Sequence, residues 1–180
     1  MAIHIGLLRA VNVGGRNRVA MSDLRALLES LGMTDVRSLL QSGNVVFRSE
    51  VSTPEQLEDL VQRATEKQLA LQTACIVRTA DEWQAVVAEN PFQDEARRDP
   101  GHLLVVFLKK APNTSDVTAL RKAMTGGETI RVKDRHAYVV YPDGIGRSRL
   151  TTRLLEEALG TGTGRNWNTV LKLGALAERL

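Results

Sequence analysis

The order of predicted helices and strands occurs twice along this chain, and this repeat is the feature that most restricts the fold. Residues 31–47 and 124–141 each run from a helix end through glycine to a strand, a polar turn and a second strand. Around them, the spacing of apolar residues predicts strand, helix, strand, strand, helix and strand in both halves. This βαββαβ order is that of an α/β plait. We therefore predict an α+β protein with two ferredoxin-like plaits in tandem.

The two predicted plaits are joined by a charged segment with a proline near each end. Residues 1–80 form the first plait, residues 81–101 a connecting helix and loop, and residues 102–180 the second plait with a C-terminal helix. Within the connection, residues 92–101 are predicted to be a linker. Ser22 and Ser148 have side chains suited to N-caps, so helices are expected to begin there.

Composition excludes several classes of protein. With one cysteine in 180 residues, the chain forms no internal disulfide, and its three histidines have no second ligand at metal spacing. We expect no metal and no cofactor. The longest apolar run, residues 103–108, is far too short to span a membrane, so a cytoplasmic protein is expected.

Positive charge is concentrated in the second half of the chain. Residues 91–180 carry fifteen Lys and Arg against ten Asp and Glu, whereas residues 1–90 carry nine against eleven. This excess is compatible with an anionic partner, but from charge alone an ordinary solvated surface is the favoured explanation.

The first polar motif follows the first predicted strand, in a loop longer than most strand-to-helix connections. Its glycines can turn backbone N–H groups toward one point, beside arginine and asparagine side chains, which is how proteins build anion sites. An ordered loop that caps its own backbone with asparagines explains the same residues equally well. The candidate ligand-binding residues here are Arg9, Asn12, Gly14, Gly15, Arg16, Asn17 and Arg18.

Three further motifs stand at turns and helix starts. Ser42 and Asn44 lie in the turn of the first predicted hairpin, where ordinary turn chemistry is the favoured explanation. The third motif, which combines glycines, a serine and arginines, is typical of anion binding at a helix start. Its candidate ligand-binding residues are Gly146, Arg147 and Ser148.

The fourth motif also stands at a helix start, where its asparagine suits a cap and its tryptophan is favoured for packing. Its candidate ligand-binding residues are Arg165, Asn166, Trp167 and Asn168.

The plait topology brings these motifs together in pairs. In a βαββαβ unit, the loop after the first strand and the hairpin turn lie at one end of the sheet. The loop after the third strand and the end of the fourth strand share the other end. We therefore expect Arg16 or Arg18 near Asn44, and Arg147 near Arg165 or Asn166, with the arginines exposed.

The motifs also resemble those of the bacterial family known as domain of unknown function 1697. That family has patterns like LLRGINVGGKNKVPM, QSGNVVF, GRSKL and ARNWNTVLKL, which match residues 7–21, 41–47, 146–150 and 164–173 of this chain. Ala10 stands where the family usually has glycine, and Ala20 where it has proline. The resemblance implies a duplicated plait and supplies no activity.

Three functions are compatible with these observations. A phosphate-bearing ligand, either a nucleotide or a nucleic acid, explains the Arg, Asn and Gly motifs and is our prediction. An enzyme acting on a phosphorylated small molecule explains them too, although no acid, base or nucleophile can be named. A protein-interaction or self-association module is the third, and it leaves the arginines without a role. The sequence does not predict the oligomeric state.

Overall fold

A computed structural model of the protein describes residues 1–50 and 53–180, and the chain divides into two compact units. The first unit is formed by Met1–Ala85 together with Lys172–Leu180, and the second by Val86–Leu171. Helix α3 begins in the first unit and ends in the second, and helix α7 begins in the second unit and ends in the first. The elements in chain order are β1 (Ala2–Leu8), α1 (Met21–Ser30), β2 (Thr34–Leu39), β3 (Asn44–Ser49), α2 (Pro54–Leu69), β4 (Cys75–Thr79), α3 (Ala80–Ala88), α4 (Gln93–Arg98), β5 (Leu103–Leu108), α5 (Thr114–Ala123), β6 (Thr129–Lys133), β7 (His136–Val140), α6 (Thr152–Leu159), β8 (Gly162–Asn166) and α7 (Trp167–Ala177).

Each unit contains a four-stranded antiparallel sheet, and the two sheets have the same strand order. The order is β2-β3-β1-β4 in the first unit and β6-β7-β5-β8 in the second. The first strand of each unit is therefore central, between the third and fourth strands of that unit. With seven α-helices among the described residues, the chain is a mixed α+β protein, as the sequence predicts.

The first unit buries one face of its sheet against α1 and α2. Strand β1 is apolar along most of its length, and Gly6 pairs with both Val45 and Val77 across the sheet. Leucines at helical spacing in α1 and α2 then cover this face. The core that results includes Leu8, Leu24, Leu28, Val45, Phe47, Leu57, Val61 and Val77.

The second unit repeats this packing with α5 and α6. Tyr141 follows β7 and donates a hydrogen bond from its hydroxyl to the carbonyl of Leu150 at 3.0 Å, and burial raises the pKa of the phenol. Because a buried hydroxyl needs a partner, this bond fixes the start of the segment that leads to α6. The core includes Val106, Leu108, Val117, Leu120, Val139, Leu155 and Leu159.

The end of α7 belongs to the first unit, although its sequence follows the second. Arg48 of β3 donates to the backbone carbonyl of Leu180, and a Cβ added to Gly174 would lie 3.5 Å from Cδ1 of Trp83 in α3. The sequence-based division placed the whole C-terminal helix in the second plait. It could not anticipate these contacts, because they join residues more than 90 positions apart.

One additional helix and two helix starts differ from the sequence predictions. Residues 93–98 form α4 rather than a linker, although none of its residues is buried. Helix α1 begins at Met21, so Ser22 lies inside its first turn and the N-cap is Ala20. Helix α6 begins at Thr152, four residues after Ser148, and its cap is the hydroxyl of Thr151, which accepts from the N–H of Leu154 at 3.3 Å.

A buried carboxylate closes the edge of the first sheet. Glu58 of α2 is 3% exposed, and its Oε1 accepts a hydrogen bond from the N–H of Val77 at 2.8 Å. The same oxygen lies 3.9 Å from the guanidinium of buried Arg78. Because β4 is an edge strand, this contact satisfies a backbone donor that no neighbouring strand reaches.

We expect the buried ring of His4 to make the stability of the protein sensitive to mild acid. The ring stacks on Phe47 at a centroid distance of 5.8 Å, and burial lowers its pKa below the ordinary value of 6.5. As the pH falls below 6.5, the unfolded chain takes up a proton that the folded chain does not, so stability is lost. In His4→Phe, which keeps the stacked ring, we expect a shallower fall in the urea midpoint between neutral pH and pH 5. Equal slopes for the variant and the parent protein would contradict this role of His4.

Candidate functional site

The loop after β1 and the turn of the first hairpin meet, as the topology predicts. Asn12 donates from its side-chain amide to the carbonyl of Gln41 at 2.7 Å, and the N–H of Leu8 donates to the carbonyl of Gly43 at 2.9 Å. A Cβ on Gly43 would lie 2.5 Å from Cγ2 of Val11, so the contact allows no side chain there. The loop therefore rests directly on the hairpin turn.

Residues 13–16 form a tight turn at the outer tip of the loop. Gly14 and Gly15 have φ angles of 59° and 75°, which L side chains rarely adopt, and the N–H of Arg16 donates to the carbonyl of Val13 at 3.1 Å. Arg16 and Arg18 follow on the exposed side of this turn. The loop therefore carries two exposed arginines that are two positions apart in the sequence.

The asparagines of the loop bind its own backbone. Oδ1 of Asn12 accepts from the N–H of Val19 at 2.9 Å, and its amide donates to the carbonyl of Val19 at 2.9 Å. Asn17 donates from its side-chain amide to the carbonyl of Ala10 at 3.3 Å. These contacts favour the self-capping explanation for the two asparagines, which were predicted as ligand-binding residues. Arg9 is exposed, and its backbone N–H donates to the carbonyl of Ala74 at 2.9 Å.

A groove of about 480 Å³ lies between this loop and the start of α1. Its lining includes Gly15, Arg18 and Asp23, and Ala20 offers no side-chain cap to the helix. The first N–H groups of a helix have no acceptor within the helix, and the helix dipole adds positive potential there. The groove therefore places a guanidinium group beside the start of a helix, whereas Asp23 adds one negative charge.

The turn residues of the first hairpin have a structural role. Asn44 is fully buried, and its amide donates to the carbonyl of Leu39 and to the hydroxyl of Ser42, both at 2.9 Å. Turn chemistry, which the sequence favoured for Ser42 and Asn44, accounts for both residues.

The third motif forms a short 3₁₀ turn rather than the start of a helix. The N–H of Ser148 donates to the carbonyl of Ile145 at 3.2 Å, so this backbone donor is used within the turn. The hydroxyl of Ser148 donates to Glu128 and accepts from the N–H of Leu150 at 2.9 Å. Gly146 and Arg147 are exposed on this turn. Of the three residues predicted to bind a ligand here, Ser148 therefore uses its N–H and its hydroxyl for hydrogen bonds within the protein.

The fourth motif is the end of β8 and the start of α7. Asn166 accepts from the N–H of Thr169 at 3.0 Å, which is the expected cap, and Trp167 is buried as expected. Arg165, which was expected to be exposed, is 9% exposed and donates to the hydroxyl of Thr163 at 2.7 Å and to the carbonyl of Gly164 at 2.8 Å. Burial lowers the pKa of Arg165 to about 10. Asn168 is exposed.

The third and fourth motifs do lie at one end of the second sheet. Asn166 pairs with Leu104 and Val140 pairs with Leu103, so β7 and β8 both end beside the start of β5. The orientation of Arg165 nevertheless keeps its guanidinium group from forming an open cluster with Arg147. A strand residue can point to either face, and the local sequence did not identify which.

Three residues that shape these sites were not singled out from the sequence. Asp23 and Leu69 line the groove beside the first loop, and Glu128 holds Ser148. The acidic first turn of α1 was visible in the sequence, but Leu69 and Glu128 come from segments that only the folded chain brings near. Among the described residues, no group of His, Cys, Asp and Glu side chains is arranged to hold a metal ion, and no helix is long and apolar enough to cross a lipid bilayer.

The fold and loops define a two-unit α+β protein with an arginine-bearing loop at one end of its first sheet. The chain matches the model of a protein family described as "Protein of unknown function (DUF1697)" over residues 1–138, and it belongs to that family. The match includes the first loop and the first hairpin and ends before the third motif. A search of the curated proteins finds no match.

A solved structure extends the likeness to almost the whole chain. It is that of the conserved bacterial protein SP0830 from Streptococcus pneumoniae, with a TM-score of 0.78 and 22% sequence identity, and the alignment covers 98% of each chain. At this identity the likeness shows a common fold.

Two glycines of the first unit allow the contact between loop and turn to be tested. Gly43→Ala adds a Cβ at φ 78°, 2.5 Å from Cγ2 of Val11 and 2.8 Å from Cβ of Leu8, whereas Gly14→Ala at φ 59° meets nothing within 4 Å. Both changes cost about 1 kcal/mol of backbone strain. Overpacking adds roughly 1–3 kcal/mol for Gly43→Ala alone. Urea unfolding measures the difference, and equal losses would show that loop and turn are not in tight contact.

Proposed function

We propose that the protein binds a phosphate-bearing molecule, either a nucleotide or a nucleic acid, at the groove between the first loop and α1. The observation that carries the proposal is a groove lined by Arg18 and Gly15 together with Ala20, the N-cap residue of α1, which gives that helix no side-chain cap. Helix N-termini and guanidinium groups are the usual ligands of phosphate in proteins. Arg16, exposed on the same loop, supplies a second positive charge.

The roles in the proposal follow from where each candidate residue lies. Arg16 and Arg18 contact the phosphate, while Asn12 and Asn17 hold the loop in shape through the bonds described above. Arg147, exposed at one end of the second sheet, is retained as a separate anion contact. Arg165 is left out, because its guanidinium group is buried and bound to Thr163 and Gly164.

We also propose that each unit is a ferredoxin-like plait and that the chain arose by duplication of one such unit. Support comes from the βαββαβ order and the matching strand orders of the two sheets. A cytoplasmic location is part of the proposal, and it is supported by the single Cys75, a buried free thiol in a protein with no means of forming an internal disulfide.

Ligand binding is tested with the double variant Arg16→Ala/Arg18→Ala. Thermal shift and calorimetric titration with inorganic phosphate, ATP and short RNA and DNA oligomers should show stabilisation of the parent protein and its loss in the variant. If a nucleic acid binds, the log of affinity should fall with log salt by roughly 0.7–0.9 per phosphate contact, and the variant should lose up to two such contacts.

The matched control is Arg97→Ala/Arg98→Ala in α4, which removes two exposed arginines of the second unit and leaves the net charge equal to that of the test variant. It should bind as the parent protein does. Exposed arginines contribute little to stability, so both doubles should melt close to the parent temperature. No ligand-dependent stabilisation of the parent protein, or equal loss of binding in both doubles, would overturn the proposed function.

A second candidate function, protein interaction or self-association, is favoured by two exposed apolar side chains. Val13 at the tip of the loop is 61% exposed and Leu40 beside the hairpin turn is 54% exposed, on segments that the Asn12 to Gln41 bond holds together. Contiguous exposed apolar patches are typical of contact surfaces, so this candidate requires the two side chains to form one patch.

Sedimentation of Val13→Ser/Leu40→Ser against the parent protein tests this candidate. If the surface mediates self-association, the parent protein should form a concentration-dependent oligomer and the variant a monomer, with little change in melting temperature because both side chains are exposed. A monomeric parent protein over the whole concentration range would remove self-association as the function of this surface.

A further inference from the structure

The second unit contains a cavity that the anion motifs do not explain. It has a volume of about 480 Å³ and lies between α5 and α6. Leu120, Met124, Leu150 and Leu154 give it an apolar lining, and Leu154 is one of the exposed large apolar side chains of the protein. Pockets of this size with mostly apolar walls and a few charged groups are typical of small-molecule sites.

The cavity lies beside a short helix and is lined in part by small side chains. Helix α6 has 8 residues, whereas α2, the second helix of the first unit, has 16. Eight residues correspond to about 12 Å of helix. Ala119 and Ala123 of α5 and Ala158 of α6 leave the space between the two helices open.

The charges around the cavity are mainly negative, in a protein whose net charge is +3. Asp116, Glu128 and Glu157 line it together with one cation, Arg149. Helix α5 starts just after β5, and α6 ends just before β8, where Gly162 pairs with Leu108 at the end of β5. Asp116 in the first turn of α5 and Glu157 in the last turn of α6 therefore lie at the same end of the cavity.

The two carboxylates at that end are available to a ligand at little cost. Asp116 accepts from the amide of Asn113 at 3.1 Å, and Glu157 accepts from Arg153 at 2.8 Å in a solvent-exposed pair one helical turn apart. Exposed pairs of this kind are weak, so a cationic ligand can replace them or bind beside them. At the other end, Glu128 is held by the hydroxyl of Ser148.

We propose that this cavity binds a small organic cation, with an apolar body between α5 and α6 and an ammonium group against Asp116 and Glu157. The apolar body is recognised by Leu120, Met124 and Leu154, and the charge by the two carboxylates. The site shares no residue with the groove proposed to bind phosphate, and it takes a ligand of opposite charge.

Three probes of one shape and different charge test the proposal: 4-phenylbutylamine, 4-phenylbutanol and 4-phenylbutyrate. Titrations are followed by backbone amide NMR shifts of the intact protein. The amine should shift the amides of Ala119, Ala123 and Gly126, all of which line the cavity, and should bind more tightly than the alcohol or the acid. Equal binding of all three probes, tighter binding of the acid, or no shifts at these residues would overturn the proposal.

Variants separate the apolar and charged parts of the site. Asp116→Asn and Glu157→Gln should each weaken binding of the amine by about two- to fivefold and leave binding of the alcohol unchanged. The control, Asp134→Asn/Asp143→Asn, alters two exposed carboxylates of the same unit outside the cavity and should change neither.

Ala119→Leu should fill the cavity and abolish the shifts with all probes, and a circular dichroism spectrum identical to that of the parent protein establishes that it folds. If the carboxylate variants bind the amine as the parent protein does, the assignment of the ammonium group is wrong.

Discussion

Both units depend on a central strand whose side chains are buried on its two faces. In β1, Ile5, Leu7 and Leu8 have no exposed surface, and in β5 the same is true of Leu103, Phe107 and Leu108. A strand in this position forces its neighbours to lie on both sides and its helices to cover the sheet, since the buried apolar surface supplies the main driving force for folding. The first loop begins where β1 ends, so its position is set by one of the most buried parts of the chain.

This dependence explains which features the sequence predicted. Strand and helix order follows from apolar spacing, and spacing in β1, α1 and β5 is regular enough to be informative. Helix α4 was missed because its six residues, Gln93–Arg98, are polar and unburied, so no apolar period marks it. The start of α6 was misplaced because Ser148 suits an N-cap, whereas its hydroxyl is engaged by Glu128, a residue 20 positions earlier.

The candidate sites were harder to predict than the fold, because their composition depends on which way side chains face. Asn12 was correctly singled out, but its amide serves the loop and the neighbouring turn. Arg165 was correctly placed at the end of a strand and wrongly expected to be exposed. Ala10 adopts φ 52°, a left-handed conformation that favours glycine, so the sequence gives no sign of the unusual backbone at this position. The cavity beside α5 has no sequence signature, since its lining comes from several separate segments and includes alanines that form no motif.

The division of the chain has a consequence for how the protein is made. The first unit needs residues Lys172–Leu180, which leave the ribosome after the entire second unit has been synthesised. At about 5–20 residues per second, the 86 residues from Val86 to Leu171 take roughly 4–17 s. During that interval the first unit is present without its last helical segment, and the second unit reaches its complete sequence only at the end of the interval. Because the sequence of the second unit lies within that of the first, the first unit is the last to be completed during translation. This is the reverse of the order expected for domains that simply follow one another along the chain.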